Sequence, residues 1–115
     1  MPHFVIDCSE PILELLDPKT LLQEIHETAV ASTLFAEADI KVRLNPFKEH
    51  YIVGGKKDDF IHVFANIMEG RTTEQKAHLS KLMVSKLKHF FPEVPIISIN
   101  IRDFEKATYC NKTMV

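Results

Sequence analysis

Cysteine and glycine are scarce in this chain, and each scarcity narrows what it can be. The two cysteines among 115 residues, Cys8 and Cys110, lie far apart and outside any Cys-x-x-Cys pair. In a reducing compartment both read as free thiols, which excludes a disulfide scaffold. The three glycines include no phosphate-cradling loop, because Gly54-Gly55 runs into Lys56-Lys57 with no helix signal behind it. That pair reads as a hairpin turn. None of the six histidines falls in an HxxxH or HExxH pattern, so nothing has the spacing of a zinc site. No apolar run approaches the ~18 residues that span a bilayer, and Asp7, Glu10, Glu14 and Asp17 interrupt any secretory signal. A formal net charge of −2 supplies no basic field for nucleic acid and no polybasic membrane signal. The expected address is the cytoplasm, with neither nucleic acid nor membrane as partner.

Apolar residues make up 45% of the chain and charged residues 26%, ordinary values for a globular protein of one domain over residues 1–115. Its periodicity divides it into two similar units, about 2–46 and 59–104. Phe4, Ile6 and Cys8 alternate with His3, Val5 and Asp7, as in a strand with one face buried. Asp17-Pro18 supplies an N-cap and a proline pre-set for a first helical turn, and Leu21, Leu22, Ile25 and Ala29 predict a helix over about 18–33. Ile40-Lys41-Val42-Arg43-Leu44 alternates as a second strand. After Gly54-Gly55 the order recurs. Phe60 to Ile67 is apolar on both faces, as in the middle of a covered sheet. Thr72 and Gln75 form a capping box ahead of a helix striped by Leu79, Leu82, Met83, Leu87 and Phe90. Ile97, Ile99 and Ile101 mark a last strand. The expected fold is α+β: two consecutive β-α-β units, each with parallel strands, forming a four-stranded sheet covered by two helices. The tail from Tyr109 to Val115 carries no signal and reads as an arm toward a neighbouring subunit or as a frayed end.

Function turns on the start, Met1-Pro2-His3-Phe4-Val5-Ile6. Removal of Met1 exposes a secondary amine. An ordinary α-amino group has a pKa of roughly 7.7–8.0, and an apolar pocket lowers it, which places a base near working pH. Lys41 and Arg43 share one face of their strand, while Arg71 stands beside the N-terminus of the second helix, where a guanidinium makes a strong carboxylate site. On pattern alone, Lys41 and Arg43 more often describe a solvated face and Arg71 a surface loop. His62, inside an apolar strand, reads as a core histidine bonded to the backbone.

The segments Pro2-His3-Phe4-Val5-Ile6-Asp7-Cys8-Ser9, Ala38-Asp39-Ile40-Lys41-Val42-Arg43, Asp59-Phe60-Ile61-His62-Val63 and Gly70-Arg71-Thr72-Thr73-Glu74 resemble the 5-carboxymethyl-2-hydroxymuconate isomerase family of the tautomerase superfamily. That resemblance implies a homotrimer of tautomerase-like chains, a small polycarboxylate substrate, and no metal or organic cofactor. It also implies catabolism of the aromatic compound 4-hydroxyphenylacetate through homoprotocatechuate, with 5-carboxymethyl-2-hydroxymuconate converted to its 2-oxo isomer. By position, Pro2 becomes the catalytic base and Arg71 the holder of a substrate carboxylate, with Arg43 and Lys41 as further substrate-binding cations. Lys41 stands where the family pattern has arginine, and a lysine lacks the planar fork. The segment 46–57 is also poorly matched. These departures keep in view a tautomerase or dehalogenase-like enzyme for another small keto acid, while a chain that keeps Met1 reads as an inactive trimeric binding protein.

Overall fold

A computed structural model describes all 115 residues, Met1–Val115. Strand β1 (His3–Ser9) leads through a short helix α1 (Ile12–Leu15) into α2 (Pro18–Ala31) and back along β2 (Lys41–Phe47). The second unit repeats this with β3 (Phe60–Met68), α3 (Thr73–Phe90) and β4 (Ile96–Phe104). The sheet order is β2-β1-β3-β4. β1 pairs with β2 and β3 with β4 in parallel, while the two units meet through the antiparallel pair β1 and β3. Both β-α-β expectations hold. The short helix α1 carries no periodic signal and was not anticipated.

The helices lie over one face of the sheet because alternation puts its fully buried apolar side chains there. Phe4, Ile6 and Cys8 of β1 and Ile61, Val63 and Ala65 of β3 form a single cluster with Leu21, Ile25 and Ala29 of α2 and Leu79, Met83 and Leu87 of α3. Each fully buried Leu, Ile or Phe contributes roughly 1.5–3 kcal/mol. Ile40, Val42, Leu44, Ile97, Ile99 and Ile101 border the cluster from the edge strands. Cys8 is buried and its thiol is pushed up to about 11, mainly by desolvation, while Cys110 is exposed; both are free.

Three local expectations meet the structure differently. Thr72 and Gln75 form the reciprocal capping box, with Thr72 Oγ1 accepting from Gln75 N at 3.1 Å and Gln75 Oε1 from Thr72 N at 2.8 Å. Asp17 does occupy the N-cap of α2 with Pro18 behind it, but its side chain makes no capping bond, and α2 stops at Ala31. Gly54 and Gly55 both have positive φ, 60° and 85°, between Val53 and Lys56, which pair antiparallel. That is the type I′ geometry glycine favours. β2 runs on to Phe47 through Pro46, which an edge strand tolerates because one side of its backbone has no ladder partner.

The covered sheet is corrected on one point. β3 is an inner strand, yet only its Ile61, Val63, Ala65 and Ile67 face is buried. Phe60, His62 and Phe64 lie half-buried on the opposite face, which no element of the chain covers. No helix is long and apolar enough to cross a membrane.

Candidate active site

β1 begins beside β2, so the chain start and the two strand cations come together in register. His3 pairs with Lys41 and Val5 with Arg43, and the Lys41 N–H donates to the Pro2 carbonyl at 3.1 Å. Pro2 is buried. Burial pushes the α-amino group of Met1, one residue ahead of Pro2, below its ordinary value; nearby Asp39 opposes that shift, while Lys41 and Arg71 push it further down. The position of Pro2 is therefore a desolvated place flanked by cations, where an amine is biased toward its neutral form. While Met1 is attached, the Pro2 nitrogen itself is an amide.

Arg71 reaches this place from the other unit. Gly70, at φ 121°, turns the chain out of β3 and into the approach to α3. The Arg71 guanidinium donates from Nη2 to the Leu34 carbonyl at 2.6 Å and from Nη1 to the Met68 carbonyl at 3.2 Å, and its Cζ lies 5.0 Å from the centre of the Phe35 ring. A hollow of about 360 Å³ beside it is lined by Thr33, Leu34, Glu69, Gly70, Arg71 and Gln75. The largest cavity, about 640 Å³, lies between α2 and α3 among Glu24, Thr28, Leu82 and Lys86, and none of the four candidate residues lines it.

The remaining cations are held in the same manner. Lys41 Nζ donates to the Asp39 carbonyl at 2.5 Å, and Arg43 Nη1 to His3 Nδ1 at 3.0 Å. Arg43 is exposed and engages His3, whereas Lys41 and Arg71 act on the amine. The ion pairs of the molecule, His26–Glu37, Lys76–Asp103 and Lys86–Glu24, involve none of the three. Lys41, Arg43 and Arg71 are thus fixed by neutral acceptors, paired with no carboxylate, and available to an anion. No group of three or more His, Cys, Asp or Glu side chains is arranged to hold a metal ion.

His3 was missed as a site residue, although the alternation that puts Lys41 and Arg43 on one face puts His3 there too. A guanidinium only donates, so His3 Nδ1 carries the lone pair. Burial lowers the His3 pKa, and Arg43, Lys41 and the terminal amine lower it further. An NMR titration of the His3 ring is expected to show a midpoint below the ordinary histidine value, and Arg43→Gln is expected to raise it. A midpoint unmoved by that substitution would show that Arg43 does not act on the ring. Asp39 and Phe35 were also missed; the Leu34 carbonyl, being main chain, has no sequence signal. His62 departs from expectation in its partners: Ser98 Oγ at 2.6 Å and Asn100 Oδ1 at 2.7 Å, both β4 side chains, take the place of the backbone.

A sequence profile of the 5-carboxymethyl-2-hydroxymuconate isomerase family matches residues 2–114. The chain is 27% identical over 92 residues to the 5-carboxymethyl-2-hydroxymuconate Delta-isomerase of Escherichia coli, covering 79% of this chain and 73% of that one. A crystal structure of a 5-carboxymethyl-2-hydroxymuconate isomerase from Deinococcus radiodurans R1 superposes with a TM-score of 0.83 at 23% identity, covering 96% of this chain and 88% of the other. A fused 4-OT, a wild-type symmetric trimer, superposes with a TM-score of 0.81 at 18% identity, covering 98% and 94%.

Proposed function

This chain belongs to the 5-carboxymethyl-2-hydroxymuconate isomerase family, with the tautomerase fold, and from that premise we propose that it ketonises an unsaturated enol polycarboxylate. The substrate is 5-carboxymethyl-2-hydroxymuconate and the product 5-oxopent-3-ene-1,2,5-tricarboxylate, a step in the breakdown of 4-hydroxyphenylacetate through homoprotocatechuate. The observation that carries this reading is the set of cations around the buried chain start, Lys41, Arg43 and Arg71, each held by a neutral acceptor.

Loss of Met1 gives Pro2 a free secondary amine. That amine takes the proton of the 2-hydroxyl group, and the electron pair left on oxygen forms the C2 carbonyl. The C2–C3 double bond moves to C3–C4, and the C4–C5 π pair accepts the proton at C5. Substrate and product have the same composition, so the step needs no redox partner. Negative charge develops on the enolate oxygen and the adjoining carboxylate, where Arg71 and Lys41 stabilise it more as it grows. Arg43 binds a carboxylate farther along the substrate.

The uncovered sheet face makes the contact between copies in a homotrimer. Half-buried Val5, Phe60, Phe64 and Phe104 and exposed Ile96 give that face its apolar content. Trimers among the fused 4-OT structures support the same assembly. The test uses recombinant protein whose intact mass shows that Met1 has been lost. Loss of the dienol absorbance of 5-carboxymethyl-2-hydroxymuconate well above the uncatalysed rate is expected, with a trimer in sedimentation. A rate equal to the protein-free control would overturn the assignment.

A further inference from the structure

Arg71 is an unusual anion holder in that its position depends on a distant turn. The Leu34 carbonyl that accepts from Nη2 belongs to the connection between α2 and β2, far from Arg71 in sequence. That turn is tightly made. Thr33, a β-branched residue, sits at φ 64° in the left-handed region, a costly conformation outside glycine. Ser32 stabilises it, with Oγ donating to the Ala29 carbonyl at 2.6 Å and accepting from Leu34 N at 3.3 Å, while Thr33 Oγ1 donates to the Ser32 carbonyl at 2.6 Å.

Directly after this turn, Phe35 lays its ring under the Arg71 guanidinium and sets its edge against Phe4, whose ring centre is 6.0 Å away. Phe4 is fully buried in the sheet. Phe35 therefore ties the cation to the buried start of β1, the strand that Pro2 heads. A guanidinium stacked on an aromatic face and bonded at two nitrogens has few orientations left.

We propose that Phe35 is a positioning residue for Arg71, fixing the guanidinium plane so that its remaining N–H groups face a substrate carboxylate, a role that rests on Arg71 holding that carboxylate. The stack supplies attraction without neutralising the charge, which a carboxylate partner would do. Leucine at position 35 keeps the apolar contact with Phe4 but removes the π-face, whereas tyrosine keeps both.

The experiment is a double-mutant cycle on the full-length, Met1-free protein. It reads kcat/KM for 5-carboxymethyl-2-hydroxymuconate and the affinity for the inert propane-1,2,3-tricarboxylate. Phe35→Leu is expected to lower both by about fivefold to tenfold, the range of a partly desolvated cation–π contact. Phe35→Tyr is expected to restore both, and Phe35→Leu in an Arg71→Ala background to change neither by more than about twofold. Thermal melts confirm that each variant is folded. An equal loss from Phe35→Leu with and without Arg71 would overturn the proposal, as would full activity in that variant. If Arg71→Ala alone leaves turnover and binding intact, the role of Arg71 falls and this one with it. A wild-type protein that neither reacts nor binds has the same consequence.

Discussion

Replacing Pro2 by alanine lowers kcat/KM for the muconate by at least about tenfold, and a form that retains Met1 loses about 10²–10⁴, the range of a positioned general base. The two variants separate two contributions. Alanine still presents an amine once Met1 is gone, so a base survives, but without the pyrrolidine ring that fixes the nitrogen's direction. Retained Met1 converts that nitrogen to an amide and leaves no basic lone pair. Neither change touches the hydrophobic cluster built by Phe4, Ile6 and the helices, so thermal stability stays close to that of the parent. The pH dependence follows with a defined sign. Burial lowers the Met1 α-amino group below its ordinary value, with Asp39 opposing the shift and Lys41 and Arg71 adding to it, and a Pro2 amine exposed beside the same cations is expected to be biased the same way. Activity is therefore retained at neutral pH and lost as pH falls through that lowered value. Lys41→Gln removes one contribution and moves the acidic limb upward. A limb unmoved by Lys41→Gln, or full turnover with Met1 in place, would remove the amine from the mechanism.

Arg71→Ala is expected to cost about 10²-fold in kcat/KM, comparable to removing one preorganised donor from an oxyanion site. Arg71→Lys regains part of this, because a lysine supplies charge without the two-pronged grip. The structural consequence of Arg71→Ala is smaller. The Leu34 and Met68 carbonyls lose their donors, but Leu34 lines a hollow of about 360 Å³ that is roomy enough for water. The stability loss is thus about 1–3 kcal/mol, two hydrogen bonds at the usual net value of each. A large drop in melting temperature with unchanged turnover would show Arg71 to be a structural clamp and nothing more.

Where the chain's pattern is local, it was legible. Alternation in Phe4, Ile6 and Cys8, the Thr72–Gln75 capping box and the glycine pair at the hairpin each specify their geometry within a few residues. Arg71 and Pro2 stand out in the sequence as candidates, from an unusual start and a cation ahead of a capped helix. What joins them does not. Arg71 is fixed by a main-chain carbonyl and an aromatic ring from the turn after α2, and neither leaves a trace in the spacing around residue 71. The expected double cover of β3 failed for a related reason. Phe60 and Phe64 carry the hydrophobicity of a buried face, but no helix of the chain lies over them and they stay half-buried. His62 shares that face, where its ring bridges Ser98 and Asn100.

The antiparallel meeting of β1 and β3 makes the molecule one-ended. Each unit opens with a strand, so the counterpart of Pro2 is Asp59, just before β3, and that of Lys41 is Ile96, the first residue of β4. Ahead of the helices, Leu16 and Asp17 stand where the second unit has Arg71 and Thr72. At that far end the Asp59 side chain accepts from Ser9 Oγ at 2.8 Å, and the chain passes through as an ordinary peptide bond. A backbone with a near twofold layout therefore gathers its cations at one pole alone, beside the start of β1, while the matching pole at the start of β3 closes on a hydroxyl and a carboxylate.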